Sequence, residues 1–137
     1  AVAEYEKRLR PFCKFEIREL PEERLPSDPS SAQIQAALER EGEAILKQSA
    51  GQLIPLCLEG KQTGSEGFAR RLSAAMQSPG AVTLAIGSSY GLSPQVKQAG
   101  EGLSMSEMTF PHQLARVMLC EQLYRAFQIL NHTKYHK

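Results

Sequence analysis

The chain has 137 residues, of which 42% are apolar, with 16 lysines and arginines against 15 aspartates and glutamates. This length suits one domain with its own core, and the apolar share excludes a disordered chain. No apolar run approaches the ~18–20 residues that a membrane helix needs, and no secretory signal is recognisable.

From the N-terminus, Val2, Tyr5 and Leu9 recur at helical spacing and predict a helix over residues 1–10, stopped by Pro11. Cys13, Phe15 and Ile17 then alternate with Lys14, Glu16 and Arg18, which predicts a half-buried strand. Pro21, Pro26 and Pro29, with Ser27, Asp28, Ser30 and Ser31, mark residues 20–31 as a loop. Ser30 or Ser31 is placed to cap a helix running to about Gln48, with Ile34, Leu38, Ile45 and Leu46 on one side and Gly51 as its stop. Residues 53–58 form a short apolar run between Gly51 and Gly60 and predict a buried strand. Pro55 within it lacks a ladder donor and points to an edge or irregular position.

Residues 60–64 predict a turn, and Ser65 the cap of a helix whose apolar face is Phe68, Leu72, Ala75 and Met76. Pro79-Gly80 predicts another turn, residues 81–86 a second buried strand, and residues 87–91 a tight glycine-bounded turn. Ser93-Pro94 opens a short helix to about Ala99, broken by residues 100–102. Residues 105–110 read as an extended or looped stretch. Thr109 as cap and Pro111 as first residue open a last helix, which runs to about Leu130. That helix is apolar on more than one side: Leu114, Val117, Met118 and Ala126, together with Cys120, Leu123, Tyr124 and Phe127. Such a helix is expected to be buried on two sides: one suits its own core, and the other is left free for a partner subunit. Arg116, Glu121 and Arg125 interrupt this surface and must be paired or functional. Strands alternating with helices, in continuous apolar runs, predict a single α/β domain over residues 1–137 with a mainly parallel sheet.

Cys13, Cys57 and Cys120 are odd in number and widely spaced, which predicts free thiols in a cytoplasmic protein. His112, His132 and His136 fit no metal-ligand spacing, and no nucleophile elbow or phosphate-binding loop is present. The near-zero charge is the sum of two unequal parts. Residues 1–60 carry 8 basic and 11 acidic side chains, and residues 61–137 carry 8 and 4. A polyanion would therefore meet the C-terminal part. Ile86-Gly87-Ser88-Ser89-Tyr90-Gly91 follows a buried strand and reads either as a ligand turn or as a plain strand–helix connection. Residues 105–110 read as a second such loop, or as a connection with Met105, Met108 and Phe110 filling the core. The end, Asn131 to Lys137, holds two histidines, a tyrosine and two lysines. It suits base stacking, phosphate contact or proton transfer, or else a frayed polar terminus.

Three strings carry a resemblance: AVTLAIGSSYG (81–91), MSEMTFPH (105–112) and QLARVMLCEQLYRAFQILNHTKYHK (113–137). They resemble the rRNA large-subunit methyltransferase H family of the SPOUT class, and the likeness extends through Glu41-Gly42-Glu43, Leu56, Gly60-Lys61 and residues 3–9. The resemblance implies a SPOUT-type sheet flanked by helices with a C-terminal trefoil knot, the knot and cofactor region lying over about residues 81–137. It further implies a homodimer, S-adenosylmethionine as methyl donor, and methylation at N3 of a pseudouridine in 23S rRNA of the assembled ribosome, with no membrane and no metal involved. The cofactor pocket it implies uses Leu56, Gly87, Met105, Ser106, Glu107, Met108, Thr109 and Phe110.

An imide N3 must lose its proton before attacking a methyl group, so a base or a stabilising cation is wanted. The candidates, in falling order, are His136, Tyr135, His112 and Arg125. His112 reads equally as a helix-start hydrogen bond and Arg125 as an ion pair with Glu121. Arg116 is a candidate for RNA phosphate or for the dimer. The sequence departs from the family pattern twice. Ser88 stands where the family has a second glycine, which weakens binding if that position needs positive φ. The family's first strand and Gly-Lys turn are also missing ahead of the first helix. The alternatives are a non-catalytic or impaired binding protein of the same fold, or a methyltransferase acting on another RNA or a small molecule.

Overall fold

A computed structural model of the chain describes residues 1–77 and 80–136; the turn expected at Pro79 lies outside the described residues. The elements are α1 (Val2–Leu9), α2 (Ser31–Gln48), β1 (Gln52–Gln62), α3 (Ser65–Gln77), β2 (Val82–Ala85), α4 (Pro94–Gln98), β3 (Leu103–Ser104) and α5 (His112–Leu130). They fall into two compact units, one holding α1, α3 and α5, the other α2, α4 and the sheet.

The sheet has strand order β2-β1-β3 and is parallel throughout, as the apolar runs predict. β1 pairs with β2 from Gln52↔Val82 to Pro55↔Ala85, then with β3 at Leu56↔Leu103. Pro55 is therefore in the central strand, fully buried, and not at an edge. A missing N–H is tolerable there because β2 ends opposite Pro55 and the β3 ladder starts one residue later. β1 runs on to Gln62, so the turn expected over residues 60–64 shrinks to Thr63 and Gly64. Its register against β3 slips between Leu56 and Lys61. The backbones come close at this slip: a Cβ on Gly60 would stand 2.6 Å from the Gly102 carbonyl carbon.

Leu53, Ala85, Leu92 and Val96 form the buried cluster of this unit, with Ile45 of α2 packed against it. Fully burying such a side chain stabilises the fold by about 1.5–3 kcal/mol. α2 opens with a capping box: Ser30 Oγ accepts from Gln33 N–H at 3.1 Å, and Gln33 Oε1 accepts from Ser30 N–H at 2.8 Å. The helix ends at Gln48 as expected, although its buried residues are Ala37 and Gly42 while Leu46 stays exposed. α4 has the expected cap, Ser93, and Pro94 in its first turn.

In the other unit α1 and α3 both pack on α5. Leu9, Phe68, Leu72, Leu119, Leu123 and Phe127 are buried here. Phe12 stacks on Phe127 at 5.4 Å between ring centroids and meets Tyr124 edge-on at 6.2 Å. Val117, Met118 and Tyr124 are half-buried and Leu114 is exposed.

Three local expectations need correction. Cys13 to Ile17 has the predicted alternation of half-buried and exposed side chains but is no strand. Alternation fixes which side chains face inward; a strand also needs a neighbour to bond, and among the described residues no ladder includes this segment. Ser65 lies inside α3, where its hydroxyl donates to Gln122 Oε1 of α5 at 2.7 Å in place of capping. Pro111, not Thr109, is the N-cap of α5, and no side chain caps that end.

Candidate active site

The sheet unit carries most of the expected cofactor residues. Leu56 lies in β1 one residue beyond the β2 ladder, Gly87 two residues past the end of β2, and Met105 directly after β3. Neighbouring strands stand about 4.8 Å apart, so three strand positions on one sheet bring these points side by side. They share the carboxyl side of the β1–β2 and β1–β3 pairings, where open α/β sheets bind ligands. Ser106 ties its loop together: Ser104 Oγ donates to the Ser106 carbonyl at 3.0 Å, and Ser106 Oγ accepts from Met108 N–H at 3.0 Å. Leu56 and Met105 are half-buried, Glu107 and Thr109 are exposed, and Met108 is 70% exposed. Phe110 belongs to the other compact unit.

The turn after β2 closes tightly. Gly91 N–H donates to the Ser88 carbonyl at 2.9 Å, and Gly91 takes φ +87°. A Cβ on Gly87 would stand 2.3 Å from Gly91 backbone, so Gly87 is sterically required. Beside Gly91 the space is open, with nothing within 4 Å of an added Cβ. Ser88 does not adopt positive φ; among the described residues the sole non-glycine that does is His132. A serine at position 88 therefore carries no backbone strain. Its hydroxyl donates to Glu41 Oε1 at 2.7 Å.

The helical unit gathers three of the four catalytic candidates. α5 ends in a Schellman turn: Thr133 N–H donates to the Gln128 carbonyl and His132 N–H to the Ile129 carbonyl, both at 3.0 Å, with His132 at φ 56°. This reversal sends the tail back along α5. Arg125 Nη2 pairs with Glu121 at 2.6 Å, and Arg125 Nη1 meets His136 Nδ1 at 3.0 Å. The Arg125 guanidinium lies 5.1 Å from the Tyr135 ring centroid. The Tyr135 ring meets Tyr124 edge-on at 4.9 Å, and its hydroxyl donates to Glu121 at 3.4 Å. His136 Nε2 is 3.7 Å from Glu66, within ion-pair reach should the ring be charged.

These contacts decide proton roles. A guanidinium only donates, so His136 Nδ1 accepts and a neutral ring carries its proton on Nε2. Burial raises the Tyr135 pKa, the Glu121 carboxylate adds to the rise, and Arg125 opposes it. Its phenol thus stays protonated at neutral pH and serves as a donor, not a base. Glu121 holds Arg125 firmly charged.

His112, at the other end of α5, is 13 residues from Arg125, or about 20 Å along the axis at 1.5 Å per residue. It stands apart from the tail cluster. The sequence does not point to Glu66, and it marks Glu41 only as part of a string shared with the family, with no partner assigned. Glu66 and Glu41 meet partners 70 and 47 residues away, which no local pattern signals. Tyr124 was readable only as one more apolar residue of α5. The cysteines are free, and burial raises the thiol pKa of Cys13 and Cys120. Among the described residues, no group of three or more His, Cys, Asp and Glu is placed to hold a metal.

Two comparisons bear on this geometry. A family model described as "Predicted SPOUT methyltransferase" matches residues 1–136. A protein of Streptococcus mutans called ribosomal RNA large subunit methyltransferase H is 46% identical over 140 residues, covering 99% of this chain and 88% of that protein.

Proposed function

Because the chain belongs to the SPOUT methyltransferase family, we propose that it transfers a methyl group from S-adenosylmethionine to ribosomal RNA, at N3 of a pseudouridine in the large subunit of the assembled ribosome. The observation that carries this reading is likeness to an rRNA methyltransferase over 99% of the chain. The cytoplasm, a homodimer and a C-terminal trefoil knot belong to the same proposal. Among the described residues no helix is long and apolar enough to cross a membrane.

The residues present fit the cofactor. Leu56, Met105 and Met108 offer apolar surface for adenine and thioether, and the open space beside Gly91 lets a ligand reach backbone groups. The bound cofactor supplies a methyl group already activated on a sulfonium, so positioning is the protein's main task. In this reading the turn at Gly87 and the loop over residues 105–109 hold it through backbone groups. Arg125 supplies a fixed positive charge for an imide losing its proton. Tyr135 donates a hydrogen bond. His136 becomes a proton acceptor at Nδ1 once that nitrogen leaves Arg125. His112, at the start of α5, lies outside this cluster.

The C-terminal excess of basic over acidic side chains supports an RNA partner, but a net charge of +1 favours a structured ribosomal site over naked RNA. The test is methyl transfer from labelled cofactor to ribosomes and to purified rRNA. Transfer to ribosomes at a pseudouridine, reduced at least tenfold by His136→Ala, by Tyr135→Phe or by removal of residues 135–137, is expected. No transfer to either RNA form would refute the reading. Wild-type rates for all three variants would remove the tail from catalysis.

A further inference from the structure

Glu41 uses both carboxylate oxygens, in two directions. Oε1 accepts from the Ser88 hydroxyl at 2.7 Å, and Oε2 accepts from Glu23 N–H at 2.9 Å. One residue earlier in that segment, Glu22 Oε1 faces the next serine of the turn, 3.2 Å from Ser89 Oγ and 3.4 Å from its N–H. Arg40, beside Glu41 on α2, pairs with Glu23 and offsets one of the three carboxylates gathered here. Two consecutive serines of the turn after β2 are thus held by carboxylates from two separate segments.

The neighbour of Glu41 explains the reach. A Cβ on Gly42 would stand 2.3 Å from Ser93 Oγ and 3.2 Å from Val96. The bare backbone of Gly42 seats α2 against the residue that caps α4, and this brings Glu41 to Ser88. Within the turn, Ser88 is bonded to Gly91, so displacing Ser88 displaces the residue beside the open space.

We propose that Glu41 is the positioning residue of the turn over residues 87–91, latching it to α2 and to the Glu22–Glu23 segment through the Ser88 hydroxyl. The proposal rests on this turn holding the cofactor, as inferred above. Glu41 touches no reacting atom in it; it acts through Ser88. A glycine at position 88 gives up the latch, so the serine is a working substitution for this chain and not a loss.

The test compares Glu41→Ala, Glu41→Gln and Ser88→Gly in the full chain, with Glu39→Ala on the exposed part of α2 as control. Hydrogen exchange of the amides of residues 87–91 is measured in the free protein, and S-adenosylhomocysteine binding by calorimetry. Methyl transfer is measured at saturating and subsaturating cofactor. Glu41→Ala and Ser88→Gly are expected to speed exchange in the turn and raise the dissociation constant and KM about tenfold, the size of one charge-assisted hydrogen bond. Saturated kcat should change much less. Glu41→Gln should return exchange, dissociation constant and KM most of the way to wild type, because an amide can accept from Glu23 and donate to Ser88. Wild-type exchange in Glu41→Ala, or a Gln variant as impaired as the Ala variant, overturns the proposal. If the wild-type chain binds no S-adenosylhomocysteine, the cofactor reading fails, and exchange in the free protein alone decides whether the latch exists.

Discussion

Arg125 Nη1 stands 3.0 Å from His136 Nδ1 and fixes that nitrogen as an acceptor. The C-terminal tail is held by this bond and by the Tyr135 ring against Tyr124 and Arg125. Nitrogen-15 spectra should show His136 protonated at Nε2 and bare at Nδ1 in its neutral form. Arg125→Ala should erase that preference, weaken tail docking by about 1 kcal/mol and speed amide exchange over residues 133–136. An unchanged tautomer in Arg125→Ala would refute the contact.

Tyr135 gives a pH dependence with a definite sign. Its folded-state pKa is raised above 10.0 by burial first and by Glu121 second. The folded chain keeps this proton to higher pH than the unfolded chain does. The stabilisation is therefore complete below the ordinary phenol value and is lost as pH climbs from there through the raised value. The ultraviolet phenolate signal of wild type minus Tyr135→Phe should have its midpoint above 10. A midpoint at or below 10 would contradict the docked tail.

His132 occupies the left-handed position of the Schellman turn at φ 56°, where a side chain is strained. Glycine relieves that strain but loosens the unfolded chain. His132→Gly should raise stability by about 0.5–1 kcal/mol in urea unfolding, with the tail still docked. A loss of stability would show that the imidazole makes a contact that outweighs the backbone gain.

Gly100 sits against the central strand. A Cβ there would stand 1.9 Å from the Leu53 carbonyl oxygen and 3.3 Å from Pro55 Cδ. Backbone must move to admit it, so Gly100→Ala should cost about 3 kcal/mol. The matching change at Gly64, where an added Cβ meets nothing within 4 Å, should cost far less. Denaturant midpoints of the two variants test the difference.

Much of this was legible from residue order. The helices α1, α2, α3 and α5 follow from apolar spacing, α4 from the Ser93-Pro94 start, and the Ser30 and Ser93 caps from residue type. Both long apolar runs became parallel strands. Several of the differences arise from a partner distant in sequence, whereas among the described residues the segment over residues 13–17 lacks a neighbouring strand and the cap of α5 shifts locally from Thr109 to Pro111. Ser65 looked like a cap until Gln122 of α5 claimed its hydroxyl. For Pro55, residue type points to an edge or an irregular position, and the second is found: one ladder hands over to the other beside it. β3 is two residues long and depends on the close passage of Gly60 and Gly102, so periodicity could not find it. In the candidate site the strand-end positions and the tail were readable, whereas Glu41–Ser88 and Glu66–His136 join segments far apart in the chain.

The reversal at His132 makes the tail a tethered ligand of its own helix. Only a short turn separates the end of α5 from Tyr135 and His136, so they face Arg125 at an effective concentration in the millimolar range or above. Any acceptor from solution that would bond Arg125 Nη1 must first displace His136, and its apparent affinity is lowered by the fraction of time the tail is seated. The same tether makes release reversible. A displaced tail returns without a diffusional search, because the turn at His132 keeps it beside its own helix.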